Sequence, residues 1–193
     1  MIEYVKGEVA ELRPTHVTVE CGGVGYGLHI SLNTFSALNG MGRCKLFVFE
    51  VIREDAHILY GFASKDEREL FLLLTSVSGV GPNTARMILS SYPPSELENI
   101  IAGGSEASLT AVKGIGLKTA QRILVDLKGK VKAGGGGGGG ALVGNAGVIE
   151  EAVAALVMLG FQKAASQKVV ITILKGSPIM PVEQVIKGAL RML

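Results

Sequence analysis

The stretch Leu74–Leu89, LTSVSGVGPNTARMIL, reappears 35 residues later as Leu109–Leu124, LTAVKGIGLKTAQRIL. Nine of the sixteen aligned positions are identical, which is far more than chance similarity supplies. Each copy contains the end of an apolar helix, a Gly-apolar-Gly turn and an amphipathic helix that is predicted to open with Thr84 or Thr119. This arrangement predicts two helix-hairpin-helix motifs in tandem.

The chemistry of the two turns indicates phosphate binding. Glycine allows a positive φ and has no Cβ, so successive backbone N–H groups can face an anion. The following helix adds free N–H groups and the positive end of its dipole. Because these contacts reach phosphates and not base edges, we expect DNA binding without sequence preference. The predicted DNA-binding residues are Gly79, Val80, Gly81, Asn83, Arg86, Lys113, Gly114, Ile115, Gly116, Lys118, Thr119 and Arg122.

A second interpretation of the turns is structural. Val80 and Ile115 could pack into a core, with the glycines serving only as tight connections between helices. The distribution of charge favours the DNA-binding interpretation. The chain carries a net charge of only +2, but between Lys113 and Lys132 six basic residues face a single acid, Asp126.

The first 63 residues are predicted to form β structure, because short β-branched and aromatic runs alternate with glycine-rich turns. The expected strands are Glu3–Val9, His16–Cys21, Gly25–Ser31, Lys45–Ile52 and His57–Phe62. Five short strands in about sixty residues suggest a five-stranded OB-like β-barrel. From residue 64 to 132 the apolar period becomes helical, which predicts an all-α domain that contains both hairpins.

Seven consecutive glycines, Gly134–Gly140, predict a flexible linker over residues 133–147. A small three-helix domain is expected over residues 148–193, with helices at Val148–Leu159 and Val182–Leu193. Between them, the β-branched run Lys168–Leu174 fits a strand or a helix, and the size of the domain favours a helix. The fold class is therefore multidomain α+β.

Composition argues against several other classes of protein. The two cysteines, Cys21 and Cys44, lie in no metal-binding or redox pattern, so no metal site is expected. The GLKT segment that ends at Thr119 lacks the glycines of a P-loop, so neither a bound nucleotide nor any other cofactor is expected. The start of the chain lacks the pattern of a secretory signal, and apolar runs such as Val153–Leu159 are shorter than the roughly 18 residues of a membrane span. A cytoplasmic protein is the expectation.

The chain resembles the RuvA family, whose members recognise Holliday junctions in the bacterial branch-migration complex. The resemblance extends over essentially the whole sequence. It rests on the opening MIEYVKG, on GGVGY at residues 22–26, on VIREDA at 51–56, on LYGF at 59–62, on both hairpins and on EEAVAAL at 150–156. It implies an OB-fold domain, a double helix-hairpin-helix domain and a mobile, UBA-like three-helix domain.

The resemblance also implies a non-catalytic subunit that forms a homotetramer, holds four-way junction DNA open and targets the hexameric RuvB ATPase, with the RuvC resolvase as a further candidate partner. Glu54 and Asp55 match the acidic pin of the family. Asn83 and Leu117 stand where the family often has basic residues. For the third domain, the predicted partner-binding residues are Leu156, Leu159, Phe161 and Leu190.

Two other functions share some of these features. A helix-hairpin-helix glycosylase or nuclease would need a catalytic carboxylate after a hairpin, and the candidates are Glu96, Glu98 and Asp126. Acidic residues in the first turn of a helix more often stabilise that helix, so no catalytic residue is predicted. The other alternative is a protein-binding adaptor, which would use its hairpins only for packing.

Overall fold

The computed structural model describes residues 1–131, 146–176 and 180–192. The chain divides into two compact units, Met1–Gly136 and Gly137–Leu193. The predicted linker falls mostly outside the described residues, as does Lys132, whereas Ala146 and Gly147 already belong to a helix.

Five strands form a closed barrel at the start of the first unit, which confirms the predicted OB-like fold. The strands are β1 (Tyr4–Arg13), β2 (His16–Cys21), β3 (Val24–Ile30), β4 (Arg43–Ile52) and β5 (His57–Phe62). Their order around the barrel is β1-β2-β3-β5-β4. The barrel closes through the antiparallel β1–β4 pair and the parallel β3–β5 pair, and all other neighbours are antiparallel.

Alternate residues of each strand fill the barrel, as the two-residue period of a strand requires. Val17, Val19, Leu28 and Leu46 are buried completely or almost so. Gly7 has a steric role, because a Cβ at this position would lie 2.0 Å from the carbonyl oxygen of Glu20. β1 continues to Arg13 and β4 begins at Arg43, because strand pairing extends beyond the predicted apolar runs, whereas β3 is displaced by one residue from its predicted position.

A short helix between β3 and β4, α1 (Leu32–Leu38), was not predicted. Its seven residues are too few to show a helical period in the sequence. Ser31 directly precedes the helix, and its side chain caps it by accepting a hydrogen bond from the backbone N–H of Thr34 at 3.0 Å.

Up to residue 131, the last described residue of the first unit, five helices follow the barrel: α2 (Lys65–Ser76), α3 (Pro82–Ser91), α4 (Pro94–Gly103), α5 (Glu106–Thr110) and α6 (Leu117–Leu127). Their apolar faces share one core with the end of β5. The ring of Phe71 lies 4.9 Å from that of Phe62 and 5.2 Å from that of Tyr60, between ring centroids. The residues that the sequence separates at position 63 therefore pack as one compact unit.

A buried carboxyl group joins α2 to α1, the short helix between β3 and β4. Glu67 is only 2% exposed and accepts hydrogen bonds from the hydroxyls of Ser31 and Thr34, the latter at 2.7 Å. Burial raises the pKa of Glu67, and the hydrogen bonds oppose this shift only in part. One residue later, Arg68 forms an ion pair with Glu3 at 2.6 Å and donates to its carbonyl oxygen.

The described residues of the second unit form three helices, α7 (Ala146–Met158), α8 (Lys163–Gly176) and α9 (Val182–Ala189). The ambiguous run Lys168–Leu174 lies within α8, so the preference for a helix is confirmed. Leu156, Val170 and Val185 form part of the core of this unit. The last helix ends four residues before the predicted end, and Leu193 lies outside the described residues.

The buried Glu67 predicts a stability that falls as the pH rises. Because the folded state raises its pKa, the native protein binds the Glu67 proton more tightly than the unfolded chain does. The stabilising contribution is therefore complete below the ordinary glutamate pKa of about 4.3 and is lost between that value and the raised pKa. Glu67→Gln cannot ionise, so its stability should not show this loss. The loss amounts to about 1.4 kcal/mol of unfolding free energy for each unit by which burial raises the pKa of Glu67.

Urea unfolding of the wild type and of Glu67→Gln across this pH range tests the expectation, with the exposed Glu69→Gln on the same helix as the control. The unfolding free energy of Glu67→Gln minus that of the wild type should increase as the pH rises. A difference between the two that does not change with pH would contradict it.

Candidate nucleic-acid interface

The first hairpin connects α2 to α3 through residues 77–81. Gly79 has a φ of 90°, a conformation that favours glycine. The side chain of Val80 is buried, and its backbone N–H donates to the carbonyl oxygen of Val77 at 3.0 Å. Gly81 then caps the start of α3 with a φ of −84° and a ψ of 170°.

The second hairpin, between α5 and α6, repeats this geometry closely. Gly114 has a φ of 88°, and Gly116 caps α6 with a φ of −83° and a ψ of 164°. Ile115 is buried to the same extent as Val80, and its N–H donates to the carbonyl oxygen of Val112 at 3.1 Å. The sequence repeat is thus also a structural repeat.

Two details of the expected geometry of the Gly-apolar-Gly turns are corrected. The helices begin at Pro82 and Leu117, because each second glycine is itself the cap, and Thr84 and Thr119 follow inside the first turn. Only the first glycine of each turn has a positive φ. The second glycine leaves space, since a Cβ built on Gly81 or Gly116 meets nothing within 4 Å.

The buried central residues leave the backbone of each turn facing outward. Val80 and Ile115 pack in the core as the structural interpretation requires, while all four glycines are exposed. Beyond them, the N–H groups of the first helical turn have no partner within the helix. Packing and anion binding are therefore compatible, because the side chain serves the first and the backbone can serve the second.

The two hairpins differ in their donors and charges. At equivalent positions of the repeat, Ser78 and Asn83 of the first hairpin replace Lys113 and Lys118 of the second. Pro82 moreover lacks the N–H that Leu117 offers at the same place. Asn83, Lys113 and Lys118 are exposed, and Thr119 is half-buried. The second hairpin thus carries more positive charge and one more backbone N–H than the first.

Two arginines that the sequence places in the DNA-binding set also make contacts within the protein. The Nη1 atom of Arg122 on α6 donates to the carbonyl oxygen of Ser78 at 3.1 Å, which brings this exposed cation beside the first hairpin. The Nη1 atom of Arg86 on α3 lies against the barrel and donates to the carbonyl oxygens of Thr15 and Ile30. The sequence alone revealed neither bond, since their partners are distant in the chain.

Glu54 and Asp55 lie at the tip of the β4–β5 hairpin, between Ile52 and His57. Both are exposed, and the tip is closed by a hydrogen bond from the N–H of Arg53 to the carbonyl oxygen of Ala56 at 2.8 Å. The two adjacent carboxylates therefore project from the barrel on a short turn.

The predicted partner surface of the three-helix unit needs one correction. Leu156 is completely buried in the core of that unit, so it cannot contact a partner while the unit is folded. Phe161 is half-buried against the same core, whereas Leu159 and Leu190 are 60% and 43% exposed. Among the described residues of this unit, the most exposed large apolar side chain is Met158, at 90%, which was not among the predicted residues.

The carboxylates considered for catalysis lie apart from the turns in chain position. Glu96 is exposed in the first turn of α4, Glu98 is half-buried on the same helix, and Asp126 is exposed on α6. Within the described parts of the chain, no group of three or more His, Cys, Asp or Glu side chains is arranged to hold a metal ion. Nor does any described helix have the length and apolarity to cross a membrane.

Family models match three parts of the chain. The RuvA N terminal domain matches residues 1–61, the SAM-like helix-hairpin-helix tandem matches residues 71–129, and the RuvA C-terminal domain matches residues 147–193. The first two matches cover the barrel and the hairpins, and the third covers the three-helix unit.

Curated relatives agree over their full length. The chain is 70% identical to a protein of Parabacteroides distasonis, 59% identical to one of Bacteroides fragilis and 51% identical to one of Porphyromonas gingivalis. Each alignment covers 100% of both chains, and each relative is named Holliday junction branch migration complex subunit RuvA. The chain therefore belongs to the RuvA family.

Proposed function

We propose that this chain binds four-way DNA junctions without sequence preference and holds them open for an ATP-driven motor. The observation that carries the proposal is the structural repeat of two exposed glycine turns, each followed by a helix whose first N–H groups are available to an anion. Two such turns in one rigid unit can hold two phosphates of one duplex. The full-length relatives named as branch migration complex subunits support the same function.

In this proposal the chain performs no chemistry. Its DNA contacts come from backbone N–H groups and from Lys113, Lys118 and Arg122, which attract phosphates and activate no nucleophile. The motor is the RuvB ATPase that the family resemblance implies, with RuvC as a further partner. The complex would act in the cytoplasm, where bacterial DNA is found.

The three predicted segments each have a role in the proposal. Residues 1–63 and 64–132 together provide the DNA platform, residues 133–147 link it to the third domain, and residues 148–193 contact the motor. Four copies would assemble so that their acidic tips meet at the centre of the junction, where the strands part. Carboxylates there would repel the phosphates of a continuous duplex.

The turns predict a clean loss of DNA affinity on substitution of the second glycines. Gly81→Val and Gly116→Val place a side chain where an anion would approach, yet neither glycine has a positive φ and neither Cβ meets another atom within 4 Å. Each variant should therefore fold and bind a junction about tenfold more weakly, which is the value of a charged hydrogen bond.

Fluorescence anisotropy with labelled junctions of unrelated sequence, at several salt concentrations, measures this loss. Gly103→Ala, at an exposed glycine with equally open space, is the matched control and should bind as the wild type does. If both valine variants keep the wild-type affinity, or if binding does not weaken with salt, the proposed mode of phosphate binding is wrong.

The exposed apolar residues of the third domain predict a separation of functions. Leu159→Asp and Leu190→Asp should leave junction binding unchanged and should abolish stimulation of the motor ATPase, because a carboxylate would be buried at the partner interface. Gln167→Asp, at an exposed position on α8, is the control that should retain stimulation. Full stimulation of the motor by the leucine variants would rule out this surface.

The acidic tip predicts selectivity for junctions over duplex. Two unit charges about 4 Å apart interact by roughly 1 kcal/mol in water and by about 4 kcal/mol at an effective dielectric constant near 20. Neutralising the tip with Glu54→Gln and Asp55→Asn should therefore raise duplex affinity more than junction affinity. Competition binding with both DNA forms measures the ratio.

The exposed acids Glu96 and Asp126, changed to Gln and Asn, serve as the charge-matched control for the tip variant. This control should keep the wild-type preference for junctions. An unchanged ratio of junction to duplex affinity in the tip variant would show that the tip does not create selectivity.

A further inference from the structure

Two histidines stand side by side on neighbouring strands of the barrel. His16 in β2 and His29 in β3 are register partners, with ring centroids 4.0 Å apart and Nε2 atoms 3.3 Å apart. His16 is exposed, and its Nδ1 atom lies 2.9 Å from the hydroxyl oxygen of Thr15. Imidazole rings at this distance can share one proton, because the protonated ring donates a hydrogen bond to the neutral one.

Helix α3 of the first hairpin holds this pair in place. Arg86 donates from Nη1 to the carbonyl oxygens of Thr15, at 3.2 Å, and of Ile30, at 3.4 Å. These two residues directly precede His16 and directly follow His29. The arginine therefore fixes the backbone on either side of the histidine pair against the hairpin helix.

A second set of contacts leads from the pair to the turn itself. The ring of His29 lies 5.5 Å from that of Tyr60, between centroids, and the hydroxyl of Tyr60 donates to Oδ1 of Asn83 at 3.4 Å. Asn83 lies two residues after Gly81, in the first turn of α3. The pair thus lies beside the hairpin whose Ser78 and Asn83 replace the two lysines of the other hairpin.

The groups around the pair limit how many protons it can hold. Burial lowers the pKa of His29, and the neighbouring His16 and the guanidinium of Arg86 lower it further. Tyr60, which faces His29 from β5, remains neutral because burial raises the pKa of its hydroxyl. A second positive charge on the pair would lie against the first and beside Arg86, so like-charge repulsion disfavours a doubly protonated pair.

We propose that the His16–His29 pair is a further phosphate-binding site, which takes up one proton as it contacts the DNA backbone beside the first hairpin. The site rests on the proposed function and extends it, since it adds positive charge beside the hairpin in which Ser78 and Asn83 replace the two lysines. A bound phosphate favours the protonated pair, so DNA affinity rises as the pH falls. The increase is at most about tenfold for each pH unit and each proton taken up.

Anisotropy titrations of the full chain with a labelled four-way junction, at constant salt between about pH 8 and about pH 6, test this site across the histidine range. Wild-type affinity should rise as the pH falls. His16→Gln should flatten that rise and should reduce the salt dependence of log K at the lower pH by up to about 0.9 per subunit, the value of one phosphate contact.

His16→Arg supplies a permanent charge at the same exposed position. It should bind the junction at the higher pH as tightly as the wild type binds it at the lower pH. Its affinity should no longer rise as the pH falls. His57→Gln is the control, because the Nε2 atom of His57 lies 3.3 Å from the carboxylate of Glu50 on the β4–β5 hairpin. This variant should keep the pH response that His16→Gln loses.

The proposal is overturned if His16→Gln shows the wild-type pH response or if His16→Arg binds no more tightly than the wild type at the higher pH. Failure of the proposed function looks different. In that case the wild type does not bind the junction, or Gly81→Val and Gly116→Val bind it normally. If the glycine variants lose affinity while both His16 variants resemble the wild type, only the histidine site is wrong.

Discussion

The burial of Val80 and Ile115 in one apolar core is the constraint on which the proposed DNA-binding surface depends. Complete burial of an aliphatic side chain stabilises a fold by about 1.5 to 3 kcal/mol, and both residues are the centres of their glycine turns. With the side chain directed inward, the flanking glycines and the start of the next helix must face outward. The same core includes Tyr60 and Phe62 of the barrel, so the turns are also fixed relative to the barrel.

In the proposed function, this constraint explains how turns made of glycine and one buried apolar residue bind a polyanion. Backbone N–H groups held in place by a packed core lose little entropy when they meet a phosphate, whereas lysine side chains must be ordered. The guanidinium group of Arg122 adds a positive charge beside the first hairpin, and its hydrogen bond to Ser78 holds this side chain in place. In the proposed function, charge that is fixed in this way recognises the spacing of phosphates and does not distinguish the bases.

Much of this organisation was predictable from the sequence, because it is encoded in local patterns. The repeat identified both hairpins. Short β-branched and aromatic runs, separated by glycine-rich turns, indicated the barrel. Side-chain destinations were less predictable. Leu156 belongs to the same apolar run as Met158 and Leu159, and only the packing of α7 against α8 and α9 determines which of them is buried.

Long-range contacts were beyond the sequence for a related reason. The motif assigns Arg86 to DNA, but its hydrogen bonds reach carbonyl groups more than fifty residues away, on the barrel. Glu67 looks like an ordinary first-turn acid of α2, yet it is buried against hydroxyls of a helix that is itself too short to predict. Each of these depends on how distant segments meet, which a periodic pattern does not specify.

The central claim is that the backbone of both turns contacts phosphate, and the amide resonances of the glycines report this directly. In a spectrum of the ¹⁵N-glycine-labelled chain, addition of a four-way junction of any sequence should shift the amide protons of Gly81 and Gly116 strongly downfield. The amide of Gly103 should remain in place. If Gly81 and Gly116 do not shift while the junction is bound, or shift only with one DNA sequence, the account of phosphate recognition is contradicted.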